Sequence, residues 1–172
     1  MGDIKPQFKG NLGMFLVCAE LSKHNLIAMP TSRNTKGCDI VVLNPDTNKT
    51  VGIQVKCTDR KEFPIINAYW RDYEEKIEEK IMTDFVFVDI SDPDKADYFI
   101  VPEKEMKGVL KSVIEEYLHK YQQKHNLTWE QMLEMEESKK RKSGPWSVEL
   151  NDIWAYRGRW EIITNRLQKL GH

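Results

Sequence analysis

No apolar run in the sequence is long enough to cross a bilayer. The longest, Met14 to Ala19, is far shorter than the roughly 20 residues a membrane helix needs. The opening residues Met1-Gly2-Asp3-Ile4-Lys5-Pro6 also lack the apolar segment of a secretory signal. A cytoplasmic protein with no membrane partner is expected. An excess of one charge is missing too: 26 Lys and Arg against 27 Asp and Glu leave a formal charge of -1. That excludes a global basic footprint, so any nucleic-acid contact must come from a local patch. Cysteine is scarce. Cys18, Cys38 and Cys57 are an odd set in apolar or strand-like surroundings, which reads as buried thiols in a reducing compartment. Alternation would make Cys38 and Cys57 neighbours on the back of the hairpin, with His24 near them, but no pair has zinc-ligand spacing. No internal repeat is visible, and 172 residues suit one domain with a real core.

The chain is organised around two strand-like runs, Gly37 to Leu43 and Val51 to Cys57. The segment Asn44 to Thr50 between them is rich in turn formers. Because side chains alternate along a strand, Gln54 and Lys56 share one face and Val55 and Cys57 the other. In the simplest pairing register Asp39 joins Gln54 and Lys56. Ahead of these runs, Gln7 to Leu21 reads as a helix, apolar nearly all round, stopped near Asn25. Leu26 to Pro30 follows as a short strand. Beyond the hairpin come an irregular stretch, Thr58 to Arg71, and a charged helix, Asp72 to Met82. Two strands, Asp84 to Ile90 and Asp97 to Val101, flank a turn. Pro102 then opens a long helix with one apolar face through Tyr121. Residues 126–145 read as an insertion or flexible arm ending in Lys139-Lys140-Arg141-Lys142, whose alternatives are a DNA-backbone contact or a solvated linker. Residues 146–172 read as a helical C-terminal extension packing on the 1–125 core, with Trp154 and Trp160 inside it. The order implies an α/β fold, a mixed sheet flanked by helices.

A carboxylate, an amide oxygen and a lysine at a sheet edge suit phosphodiester hydrolysis. The oxygens hold a hard cation such as magnesium, which polarises the phosphate and activates water. The lysine stabilises developing negative charge. The pattern Gly37-Cys38-Asp39-Ile40 followed by Gln54-Val55-Lys56 resembles the PD-(D/E)XK nuclease superfamily. Its Gln form is similar to the type IV methyl-directed restriction enzymes, and its order to archaeal Holliday-junction resolvases. The resemblance spans about Gly10 to Thr58. It implies a restriction-endonuclease-like αβββαβ core and a DNA endonuclease using Mg2+, with Mn2+ as its substitute. It also implies DNA as partner and the homodimer with which such enzymes cut both strands. Asp39 and Gln54 would ligate the metal and Lys56 would act in catalysis.

Many such nucleases carry a Glu in the first helix, at the position where this chain has Met14. Glu20 is the one carboxylate inside the helix and the remaining candidate ligand, about 120° away around the axis. Its alternative is a solvated face, with Lys23 and His24 one turn on. Ser32, Arg33 and Lys36 form a polar, cationic loop before Asp39 that suits phosphate contact. Two other functions fit the same residues: a nuclease-fold module that binds nucleic acid without cutting it, and a protein-interaction subunit of a defence or repair system.

Overall fold

The computed structural model describes residues 4–32, 37–64, 73–92, 94–128, 130–131 and 147–168. The first helix, α1 (Pro6–Lys23), starts with proline in its first turn, where a missing N–H costs nothing. It presents Gly13, Val17 and Leu21 to the interior. It ends at His24, followed by Asn25 at φ 58, the left-handed residue that terminates many helices. Strands β1 (Ile27–Pro30), β2 (Ile40–Asn44) and β3 (Lys49–Thr58) form an antiparallel meander. The β2–β3 turn uses Asn48 at φ 56 and the Asn44 side chain, which accepts the Asp46 N–H at 2.9 Å.

A two-residue strand, β4 (Glu62–Phe63), and helix α2 (Tyr73–Lys80) lead to β5 (Asp84–Asp92). β5 lies parallel to β3, a pairing that requires a crossover such as the one through α2. β6 (Lys95–Val101) returns antiparallel beside it. The five-stranded mixed sheet thus has the order β1-β2-β3-β5-β6. Helix α3 (Glu103–His125) buries Met106, Leu110, Ile114 and Leu118, one residue per turn on a single face. The chain then forms β7 (Val148–Glu149), paired with β4, and ends in α4 (Leu150–Ile153), a 3-10 turn (Trp154–Tyr156) and α5 (Glu161–Leu167).

The sheet separates two apolar clusters. On one side, Phe63, Ile77, Phe85, Phe87, Phe99 and the buried face of α3 pack together with Val148 and Ile153. On the other, Val17, Leu21, Ile40, Ile53, Val86 and Val88 pack with Trp160, Ile163 and Leu167. β5 contributes to both, Phe85 and Phe87 one way and Val86 and Val88 the other, as a central strand must.

Four expectations change. The extension is not purely helical, because β7 adds a strand. Trp160 is buried, but Trp154 is 53 % exposed, its ring beside Phe99 and under the Arg157 guanidinium 5.0 Å away. Cys38 and Cys57 are not neighbours: Cys38 lies against Gly52, and Cys57 against Gly13 on the opposite face of the sheet. All three thiols are only half-buried. The expected arm at 126–145 falls almost wholly outside the described residues.

Candidate functional site

Asp39 stands one residue ahead of β2. Ile40 pairs with Ile53, and the Asp39 N–H also bonds the Ile53 carbonyl, so Asp39 leaves the regular register just where the ladder ends. β2 stops here while β3 runs on to Thr58. The N–H groups of β3 on this edge lose their strand partner, and a buried N–H needs an acceptor. Asp39 supplies one, since its Oδ2 accepts the Val55 N–H at 2.7 Å. The carboxylate therefore sits on the edge of β3 beside the residue between Gln54 and Lys56.

The backbone of Asp39 is held as firmly as its side chain. Its N–H donates to the Ile53 carbonyl at 2.9 Å, and its carbonyl accepts the Thr31 N–H at 2.9 Å. The Thr31 hydroxyl donates to the Cys38 carbonyl at 2.7 Å. From the other side, the Thr83 hydroxyl donates to the Gly37 carbonyl at 2.7 Å. Gly37 has φ +75, which a side chain would oppose. Neither threonine stands out in the sequence. Thr31 lies in a polar loop with nothing to distinguish it, and Thr83 is 46 residues from its partner, beyond any local signal.

Gln54 and Lys56 lie opposite Phe85 and Phe87 of β5 and share the face of the sheet on which those rings pack. Val55 and Cys57 turn to the α1 side. Lys56 is half-buried, and among the described residues no carboxylate is paired with it.

Glu20 is not brought to this group. It binds Lys23 at 2.7 Å and lies beside Tyr98 of β6, whose hydroxyl is pushed up by burial and, in smaller part, by the Glu20 charge. β6 and β2 are separated by two strands, and α1 packs on the face opposite Gln54 and Lys56. Met14 is half-buried in the α1-side cluster. Ser32 is exposed, while Arg33 and Lys36 lie outside the described residues. Among the described residues, no three His, Cys, Asp or Glu side chains gather as a metal-binding group. No family model, curated protein or solved structure matches the chain.

Proposed function

We propose that the protein is a DNA endonuclease of the PD-(D/E)XK kind, hydrolysing phosphodiester bonds with magnesium at Asp39, Gln54 and Lys56. The observation that carries this reading is the clamp on Asp39. Its carboxylate is fixed at the edge of β3, next to the backbone that bears Gln54 and Lys56. Apart from the two-residue β4, the order α1, β1, β2, β3, α2, β5 is compatible with an αβββαβ core, with the Asp ahead of the second strand and Gln-x-Lys on the third.

One Asp39 oxygen is occupied by the Val55 N–H, which leaves the other, with the Gln54 amide oxygen, as donors. That small set fits magnesium, which keeps several waters and needs only one or two carboxylates besides substrate phosphate. The chemistry such an ion supplies is polarisation of the phosphate and a lowered pKa for bound water. The chain's own part is positioning and charge. Asp39 and Gln54 would hold the ion, and Lys56, paired with no carboxylate among the described residues, would offer its ammonium to the negative charge that develops on cleavage.

A second reading is a module that binds nucleic acid without cutting it. It is favoured by Met14 in the core and by Glu20 paired with Lys23, which leave Asp39 as the only carboxylate of the set. The experiment is cleavage of labelled linear, single-stranded, methylated and branched DNA, with magnesium and then manganese. Asp39→Asn retains an oxygen acceptor for Val55, and Lys56→Met retains the aliphatic stem. Both proteins should stay folded by circular dichroism and lose cleavage by roughly 100-fold or more. Binding without cleavage by the wild type would establish the second reading, and absence of both would sink the two together.

A further inference from the structure

We propose that the cleft at the far end of β3 is a second anion site, which holds the phosphate next to the one cut and so selects a DNA strand over an isolated nucleotide. The inference rests on the reading of Asp39, Gln54 and Lys56 as a phosphodiester site. The cleft has a volume of about 750 Å³ and opens between the first turn of α1 and the β3–β4 connection. Thr58, the last residue of β3, lines it two residues beyond Lys56, while Cys57 and the first turn of α1 wall it from the opposite face of the sheet. At about 3.3 Å per residue Lys56 and Thr58 are about 7 Å apart, within the reach of one nucleotide. A strand with a phosphate at Lys56 reaches this cleft by rounding the end of β3.

The charges around the cleft leave it cationic. Lys5, Lys9 and Arg60 face Asp59 and Glu62 across it. Lys9 and Asp59 neutralise each other in a hydrogen-bonded pair, and that bond to Lys9 holds the Asp59 carboxyl below its ordinary range. Arg60 stands 3.8 Å from the same carboxylate with its side chain 69 % exposed, too loosely placed to be consumed by it. Lys5 is exposed and in no ion pair among the described residues. Among the described residues, two cations are thus free to meet phosphate, against the single carboxylate of Glu62. Cys57, on the wall, adds no negative charge at neutral pH, because burial pushes its thiol up to about 11.

Anisotropy of a labelled single-stranded 12-mer in EDTA, titrated with KCl, tests this. Removing one cation that neutralises a phosphate should flatten the slope of log Kd against log salt by about 0.7. The Lys5→Ala/Arg60→Ala protein should therefore lose about 1.4 of slope and bind more weakly at low salt. Its cleavage rate at saturating DNA should be unchanged while KM rises. Lys104→Ala/Lys124→Ala, with the same charge removed from exposed positions on α3, should keep the wild-type slope. Equal slopes for the wild type and the cleft variant, with binding and cleavage intact, would overturn the cleft and leave the Asp39 site standing. A wild type that binds no oligonucleotide would overturn both.

Discussion

At the scale of single residues, the missing side chain of Gly13 sets how closely α1 lies on the sheet. A Cβ there would overlap the Cys57 side chain, with Sγ 3.1 Å and the β3 backbone at Cys57 Cα 3.6 Å away. The helix axis and the strand are both fixed by their other contacts, so neither can move aside at little cost. Gly10 lies less than one turn earlier, and a Cβ there meets nothing within 4 Å. The two glycines look alike in the sequence, and only packing separates them. Gly13→Ala should destabilise the protein by about 1–3 kcal/mol, as overpacking does. Gly10→Ala should instead stabilise it by up to about 1 kcal/mol through helix propensity. Urea unfolding of both variants checks the contrast, and a loss at Gly10 equal to that at Gly13 would show that the close approach to Cys57 is not what sets the helix apart.

At the scale of elements, α3 begins where its own sequence offers no cap. Pro102 precedes it without a side-chain acceptor. Asp84 fills the role from 19 residues away, its Oδ1 accepting the Glu103 N–H at 2.8 Å, while Arg166 of α5 reaches its Oδ2 at 2.7 Å. One carboxylate thus ties β5, α3 and α5 together. It is fully buried, and burial raises its pKa despite the Glu103 N–H and the Arg166 charge. A group whose pKa is raised on folding binds its proton more tightly in the native state. Its contribution is full below the unfolded value and is lost as pH rises through the folded one. Asp84→Asn keeps an oxygen cap and cannot ionise. Relative to this variant, the wild type should lose unfolding free energy as pH rises from about 4 through the folded pKa, and denaturant titrations over that range measure it. A pH-independent difference would mean that Arg166 compensates the buried charge completely. The same tie explains what the sequence could and could not convey about elements. β5 and α3 have strong periods of their own and were legible. Strands β4 and β7, of two residues each, carry no period at all. β2 starts at Ile40 rather than Gly37 because Gly37 turns at positive φ and Asp39 gives its side chain, not its backbone alone, to β3. Alternation and register bring Asp39 to the end of the β2–β3 ladder, but neither its N–H bond to Ile53 nor its side-chain bond to Val55 is legible, because nothing in the sequence marks where β2 ends and β3 continues.

At the scale of the whole molecule, the C-terminal residues belong to both cores. Val148 and Ile153 complete the cluster on the α3 side, and Trp160, Ile163 and Leu167 the cluster on the α1 side. The chain end is also bound from the hairpin: Asn44 Nδ2 and the Thr47 hydroxyl donate to the Leu167 carbonyl at 3.1 and 2.7 Å, and Lys49 Nζ reaches the Gln168 carbonyl. The turn that orients β2 and β3, and with them Asp39, Gln54 and Lys56, thus leans on α5. Burial of an apolar side chain contributes about 1.5–3 kcal/mol, so these five together contribute roughly 8–15 kcal/mol, comparable to the whole stability of a domain. A division into an independent core at 1–125 and an appended extension would predict that the core survives without its tail. The packing implies the reverse. A chain ending at Trp146 should lose its cooperative urea transition and bind a hydrophobic dye, whereas the full chain should unfold in one step. If the shortened chain unfolds sigmoidally at the same midpoint, the tail is an appendage. Cleavage assays on the shortened chain would then still report on the site. Should it lose cooperativity, such assays would report only on unfolding, so variants at Asp39 and Lys56 have to be made in the full chain.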